Sequence, residues 1–252
     1  MKNIYKLSQI DKNKTLYVHH HLGLGDHIVC YGILNYILKN NYAEKIKIFC
    51  WKRNFSSLFE LYKNLNLDFL MLEDYINDKY QINNILESDE QLLSIGHEKF
   101  QEFNFGKYQE QSFYNQLEIP FYNRYSLFDY KRDMKKEELL IDFLNLKKQE
   151  YILIHDYKIF DFNKDFIEKK LNKKFDLPII NLSYIYDNYT NSNCEFNFFN
   201  IGMLIENCKE FYCLESCTKA YIEYLDTNNV ELFFYSGRGC DFTSELKKYI
   251  YF

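Results

Sequence analysis

The sequence predicts an α/β protein built on parallel sheets and wound twice, once in each half. Three observations carry this expectation. A strand, tight turn, helix and second strand open the chain; short apolar strands then alternate with segments of helical period; and the alternation restarts after a break near residue 150. The chain has 252 residues, 47% hydrophobic and 19% aromatic, ample to bury a core.

The run Thr15-Leu16-Tyr17-Val18-His19-His20-His21 is β-prone, and the turn Leu22-Gly23-Leu24-Gly25-Asp26 follows it. Over 27–39 the apolar residues Ile28, Val29, Ile33, Leu34, Ile37 and Leu38 recur at helical spacing, wide enough for a largely buried helix. Residues 45–50 read as the second strand. The resulting βαβ unit implies parallel strands and a right-handed crossover. A helix over 54–64 and strands over 68–72 and 91–95 continue the pattern, whereas 96–133 has no dominant period and Glu118-Ile119-Pro120 reads as a loop. A helix over 135–146 is acidic at its start and Lys-rich at its end, which suits the helix dipole.

The second winding begins with a strand at 151–155, ending in His155-Asp156. Strands over 178–182, 210–214 and 230–235 alternate with helices over 198–208 and 217–225, and a helix over 242–251 closes the chain. The expected boundary lies at 147–150, giving domains 1–148 and 149–252 with no internal sequence repeat.

Composition excludes several function classes. The 31 basic residues against 36 acidic ones, without a Lys/Arg block, disfavour a general nucleic-acid binder, which needs a basic face. No apolar run of about 18 residues predicts a membrane span, and the N-terminal residues lack a signal-peptide apolar region, so a cytoplasmic protein is expected. The seven scattered cysteines read as buried free thiols rather than a disulfide framework.

The turn Gly23-Leu24-Gly25-Asp26-His27 is the most informative stretch. Glycines after a strand permit close approach of a ligand, and the following helix start offers N–H groups to an anion. A dinucleotide fingerprint would need glycine where Ile28 stands, and no Gly-Lys-Ser/Thr loop is present. Asp26 suits either a helix N-cap or a general base. His27 beside it would assist an acceptor hydroxyl. Of His19, His20 and His21, only His19 and His21 share a strand face, too few for a metal site, so these rings, His21 included, are expected at a polar pocket mouth or on backbone carbonyls. His155-Asp156 ends the first strand of the second half, either as a loop pair or as a matching site. Glu215-Ser216-Cys217-Thr218 opens a helix after a strand, where Ser216 serves as a cap or, with its neighbours, as a phosphate cradle. Ser236-Gly237-Arg238-Gly239 follows the last strand, with Arg238 either solvated or on a diphosphate.

The run HHHLGLGDHIVCYGIL resembles the N-terminal motif of GT-B glycosyltransferases, most nearly the heptosyltransferase-like group. YILIHD and NIGMLIENCKEFYCLESCTKAYIEYLD resemble its donor-side pattern. The resemblance implies two Rossmann-like domains facing across a cleft, the first for the acceptor and the second for a nucleotide-diphosphate sugar. It also implies Asp26 as base and the turn at 216–218 as the diphosphate site. The chain has no DxD between apolar strands and no convergent His/Cys set, and helix N-termini can take a diphosphate without a cation, so transfer without a metal or resident cofactor is expected. Family donor turns commonly read Asp-Ser-Gly or Asp-Thr-Gly with a His shortly after, whereas here Glu215-Ser216-Cys217-Thr218 is followed by Tyr221. A non-catalytic nucleotide- or glycan-binding relative is the alternative; a phosphotransferase is disfavoured by the missing Gly-Lys-Ser/Thr loop.

Overall fold

The computed structural model describes residues 1–74, 76–97, 109–155, 162–189, 195–214, 216–235 and 246–252. In chain order the elements are β1 (Lys2–Ile4), β2 (Leu16–His19), α1 (Leu24–Lys39), β3 (Ile46–Trp51), α2 (Phe55–Leu61), β4 (Leu67–Leu72), α3 (Asp78–Ile85), β5 (Gln91–Ser94), α4 (Gln109–Gln116), α5 (Asn123–Ser126) and α6 (Met134–Phe143). Then come β6 (Ile152–Ile154), α7 (Lys164–Leu171), β7 (Ile179–Asn181), α8 (Leu182–Tyr189), α9 (Gly202–Glu206), β8 (Glu210–Leu214), α10 (Cys217–Ile222), β9 (Glu231–Tyr235) and β10 (Ile250–Tyr251). The fold is α/β with two parallel five-stranded sheets, ordered β1-β5-β2-β3-β4 and β10-β9-β8-β6-β7 among the described residues.

The chain divides into two compact units, Met1–Lys131 and Arg132–Phe252. The division falls before α6 rather than at 148/149, and the reason is local. Glu137 on α6 is fully buried and accepts hydrogen bonds from Arg132 Nε (2.8 Å) and from the Met203 backbone N–H on α9 (2.6 Å). Arg132 also donates to both carboxylate oxygens of Glu206. Burial opposes its charge, but the hydrogen bonds to Glu137 and Glu206 outweigh that and hold its pKa above the usual value.

In the first unit, Leu16, Val18, Ile46 and Ile48 are wholly buried along β2 and β3, as strands covered on both faces require. The α1 helix begins at Leu24, within the glycine turn, and is buried nearly all round. Gly32 lets α5 approach it, since a Cβ there would lie 2.5 Å from the Asn123 carbonyl oxygen. In the second unit, Ile152, Ile154, Phe162, Tyr212, Leu214 and Phe233 form one core cluster, joined by Phe252.

The chain end departs from expectation. Of the helix expected over 242–251, residues 242–245 lie outside those described, and Ile250–Tyr251 instead form β10, parallel to Phe233 and Phe234 on β9. Phe252 packs against Tyr212 and Tyr235, which draws this segment onto the sheet edge. Cys30, Cys50, Cys208 and Cys213 are buried free thiols and Cys217 is half-buried; Cys194 and Cys240 lie outside the described residues. Among the described residues no helix is long and apolar enough to cross a membrane.

Candidate functional site

Open parallel sheets take ligands at the carboxyl ends of their strands, where the strand order reverses. In the first sheet the chain steps outward from β2 to β3 and β4, then returns with β5 on the other side of β2. The reversal therefore falls at the ends of β2 and β5. In the second sheet β7 lies on one side of β6 and β8 on the other, so the reversal falls between β6 and β8. Each reversal meets a turn singled out in the sequence.

At the end of β2 the chain turns through Gly23 into α1. Gly23 is the N-cap residue, and Asp26 stands in the first helical turn rather than at the cap. That corrects the N-cap expectation: the helix starts earlier, and a carboxylate at the third position still faces the positive end of the helix dipole. Asp26 is half-buried and its carboxylate lies over Gly23, because a Cβ on Gly23 would come within 2.7 Å of Asp26 Oδ2. Gly25 is half-buried in the same turn.

His27 turns the other way. Its ring is fully buried against His20, at 4.3 Å between centroids, and against Tyr62, whose hydroxyl donates to the His27 carbonyl (2.8 Å). Burial lowers its pKa well below the ordinary histidine value. A sealed ring does not reach an acceptor hydroxyl, so the expected assisting role is not available to it here.

The three consecutive histidines separate as strand alternation requires. His19 is buried toward α3 and its Nε2–H donates to Asp78 Oδ2 at 3.0 Å. His20 lies on the α1 side with its Nδ1 on the His21 carbonyl (2.5 Å). His21 donates through Nε2 to the Gly96 carbonyl (2.8 Å), tying the end of β2 to the turn after β5. Gly96 has φ of +76°, which a side chain would strain. His97 stacks on His19 at 4.0 Å and tilts against His21 at 4.8 Å. Among the described residues no three of His, Cys, Asp and Glu are arranged to hold a metal ion.

The second reversal brings together residues far apart in sequence. His155 follows β6, Ser216 follows β8, and Ser216 Oγ lies 3.1 Å from His155 Nδ1. Ser216 is the N-cap residue of α10 but makes no side-chain cap bond; its hydroxyl also donates to the Leu214 carbonyl (3.3 Å). His155 is buried, which pushes its pKa down to about 4 and keeps the ring neutral at neutral pH. Tyr186, on α8, meets the His155 ring edge-on at 5.5 Å, and its hydroxyl lies 2.6 Å from Thr218 Oγ1. Thr218 is fully buried, so Ser216 and Cys217 are the half-buried members of this turn. Tyr221 is also fully buried and donates to the Phe199 carbonyl (3.1 Å). Asp156, Glu215, Ser236 and Arg238 lie outside the described residues.

Sequence reasoning missed Asp78, His97 and Tyr186. Asp78 opens a helix behind Asn77, whose side chain accepts from the Tyr80 N–H, a readable start signal. Nothing local ties it to His19. A cavity of about 850 Å³ in the second unit lies at the opposite end of its sheet, beside Tyr151 and Lys209 where β6 and β8 begin, and so away from Ser216.

No family model and no curated protein sequence matches the chain. Among solved structures it is similar to a glycosyl transferase family 9 protein from Veillonella parvula DSM 2008, at 11% identity with a TM-score of 0.49, over 90% of this chain and 82% of that one. A likeness of that degree establishes no activity.

Proposed function

We propose that the protein transfers a sugar from a nucleotide-diphosphate sugar to a hydroxyl acceptor, with the acceptor at the first unit, the nucleotide at the second and no metal involved. The observation that carries this reading is the coincidence at both strand-order reversals. The turn bearing Asp26 and the Ser216–His155 pair each stand where an open parallel sheet offers a ligand site. The sequence resemblance assigns the same two turns to acceptor and donor.

Asp26 takes the proton from the acceptor hydroxyl as its oxygen attacks the anomeric carbon, and the bond to the diphosphate breaks with the electron pair leaving on the diphosphate. Gly23 leaves room above the carboxylate. The Ser216 hydroxyl, held by neutral His155, turns its proton from the Leu214 carbonyl to the diphosphate oxygens, where charge grows in the transition state. Glu215, Ser236 and Arg238 join the donor side by their sequence positions alone. Thr218 and Tyr186 hold the turn from behind. The nucleotide sugar is a co-substrate and no resident cofactor is invoked, and a cytoplasmic setting belongs to the same reading.

Asp26→Asn tests the assignment. It keeps shape and removes the base, so transfer, followed by nucleotide release, should fall by about two to four orders of magnitude. Nucleotide affinity should stay within a few-fold, and stability should drop by no more than about 1 kcal/mol, the scale of one charge at a helix start. Unchanged turnover would remove Asp26 from the mechanism. Tyr221 favours a second reading, a nucleotide-binding relative without turnover, because it replaces the family histidine and is sealed in the core. On that reading neither form transfers sugar, yet both bind nucleotide.

A further inference from the structure

An edge strand offers one row of backbone N–H and C=O groups to whatever can pair with them, and proteins blunt such edges by keeping them short or by placing Lys, Pro or a bulge there. Among the described residues three of the four sheet edges are short: β1 and β7 have three residues each and β10 has two. The fourth, β4, has six, Leu67-Asp68-Phe69-Leu70-Met71-Leu72. It pairs with β3 along its whole length and meets no further strand among the described residues. The strand carries neither Lys nor Pro, and its one charge, Asp68, is already held by Lys45 at 3.2 Å.

The side chains along this edge are apolar as well. By strand alternation Leu67, Phe69 and Met71 share one face, and Phe69 places it toward α2, meeting Phe55 edge-on at 5.5 Å, with Phe59 6.0 Å beyond Phe55. Met71 is 53% exposed and Phe59 60%, while Leu67, Phe69 and Phe55 are half-buried. An unpaired backbone row and an apolar strip therefore run side by side, which marks an association site. A second copy supplies what both lack. On a two-fold axis normal to the sheet, β4 pairs antiparallel with its mate, the α2 faces stay on the same side, and each strip covers the other. Charge restricts where the axis falls. Centred on Asp68 it would oppose the two Asp68 carboxylates, and centred on Met71 it would oppose Asp68 to Asp74 and Phe69 to Glu73. Centred on Phe69 or Leu70 it sets Met71 against the partner's Leu67 or the partner's Phe69, apolar on apolar.

We propose that the protein associates into a symmetric dimer through antiparallel pairing of β4 with β4 of a second copy, with Met71 and Phe59 covered in the contact. An edge about 20 Å long with helices on both faces offers on the order of 500 Å² per copy, the low end of specific interfaces, so the dimer forms reversibly. The inference stands apart from sugar transfer. Because the paired strands run in opposite directions, the carboxyl ends of the two first sheets, and with them the two Asp26 turns, point to opposite ends of the joined sheet.

Sedimentation velocity of the full chain over about 1 to 300 µM, a range that spans weak interfaces, tests the proposal. The average mass should rise from monomer toward dimer, and amide hydrogen exchange of residues 67–72 should slow as it rises. Met71→Lys puts a charge on the edge, and Phe59→Lys puts one on the adjoining strip without touching a strand. Each should weaken dimerisation at least ten-fold, with the melting temperature of the dilute monomer unchanged. A chain that stays monomeric throughout overturns the proposal and leaves the edge to a strand from another protein. A dimer that survives Phe59→Lys and Met71→Lys, or that forms with no change in exchange along β4, is built on another surface and overturns it too.

Discussion

Gly23 separates two properties that usually change together, the position of a functional group and the stability of its helix. Its φ of −66° suits any residue, so alanine costs no backbone strain there. Its added Cβ, however, would stand 2.7 Å from Asp26 Oδ2 and force the carboxylate aside. Gly23→Ala should therefore lower transfer at least ten-fold, since small displacements of a reacting group are costly. Its unfolding free energy should stay within about 1 kcal/mol, alanine for glycine at an N-cap being a modest loss. Activity assay and urea unfolding on one preparation check both; a large stability loss with full activity would make the glycine a folding device. Much at this scale was legible. Two glycines and an aspartate after a β-prone run marked the turn, but adjacency misled for His27. Neighbouring helical residues point about 100° apart, so Asp26 stays half-buried while His27 turns into the core. The Ser216–His155 bond was not legible, because it depends on β6 and β8 being neighbours.

The elements of the first unit gather five of the chain's six histidines, His19, His20, His21, His27 and His97, around the end of β2. Period-two alternation explains the sorting: His19 faces α3 with Asp78 and Lys79, whereas His20 faces α1 with His27, backed by Tyr62 from α2. Burial is the main cause that lowers the pKa of His20 to about 3 and of His97 to about 4, from an ordinary 6.5. A folded pKa below the unfolded one means that the native state binds fewer protons. These groups thus leave stability intact above about pH 6.5 and erode it as pH falls toward their folded values. At pH 5 each histidine kept neutral costs on the order of 2 kcal/mol. Asp78, its carboxyl held below 3.8, contributes stability above that value and loses it only at lower pH, outside this window. The urea midpoint should fall clearly between pH 7 and pH 5; a flat midpoint would mean that the rings are not sealed. The strand and helix periods around these residues were readable from sequence. The partner of each histidine was not, since Asp78 and His97 come from other elements.

At the scale of the whole molecule the sequence revealed two windings but neither the strand orders nor where the second unit starts. Strand order depends on which strand returns beside which, and periodicity is silent on that. The division at 131/132 differs from the expected boundary because α6, read as the end of the first winding, carries a buried charge whose partners lie further on. Glu137 holds Arg132 and the Met203 N–H, while Leu140 and Ile141 on the same helix are buried. A fragment of residues 132–252 retains all of these, whereas one of residues 149–252 loses α6. The shorter fragment forfeits two large apolar side chains, worth about 1.5 to 3 kcal/mol each, and strips Met203 N–H of its acceptor. Removing α6 would consume a large share of the 5 to 15 kcal/mol typical of a domain. Accordingly 132–252 should unfold cooperatively in urea, and 149–252 should show no cooperative transition or a sharply lower midpoint. Equal midpoints for the two fragments would return α6 to the first unit and restore the boundary at 148/149.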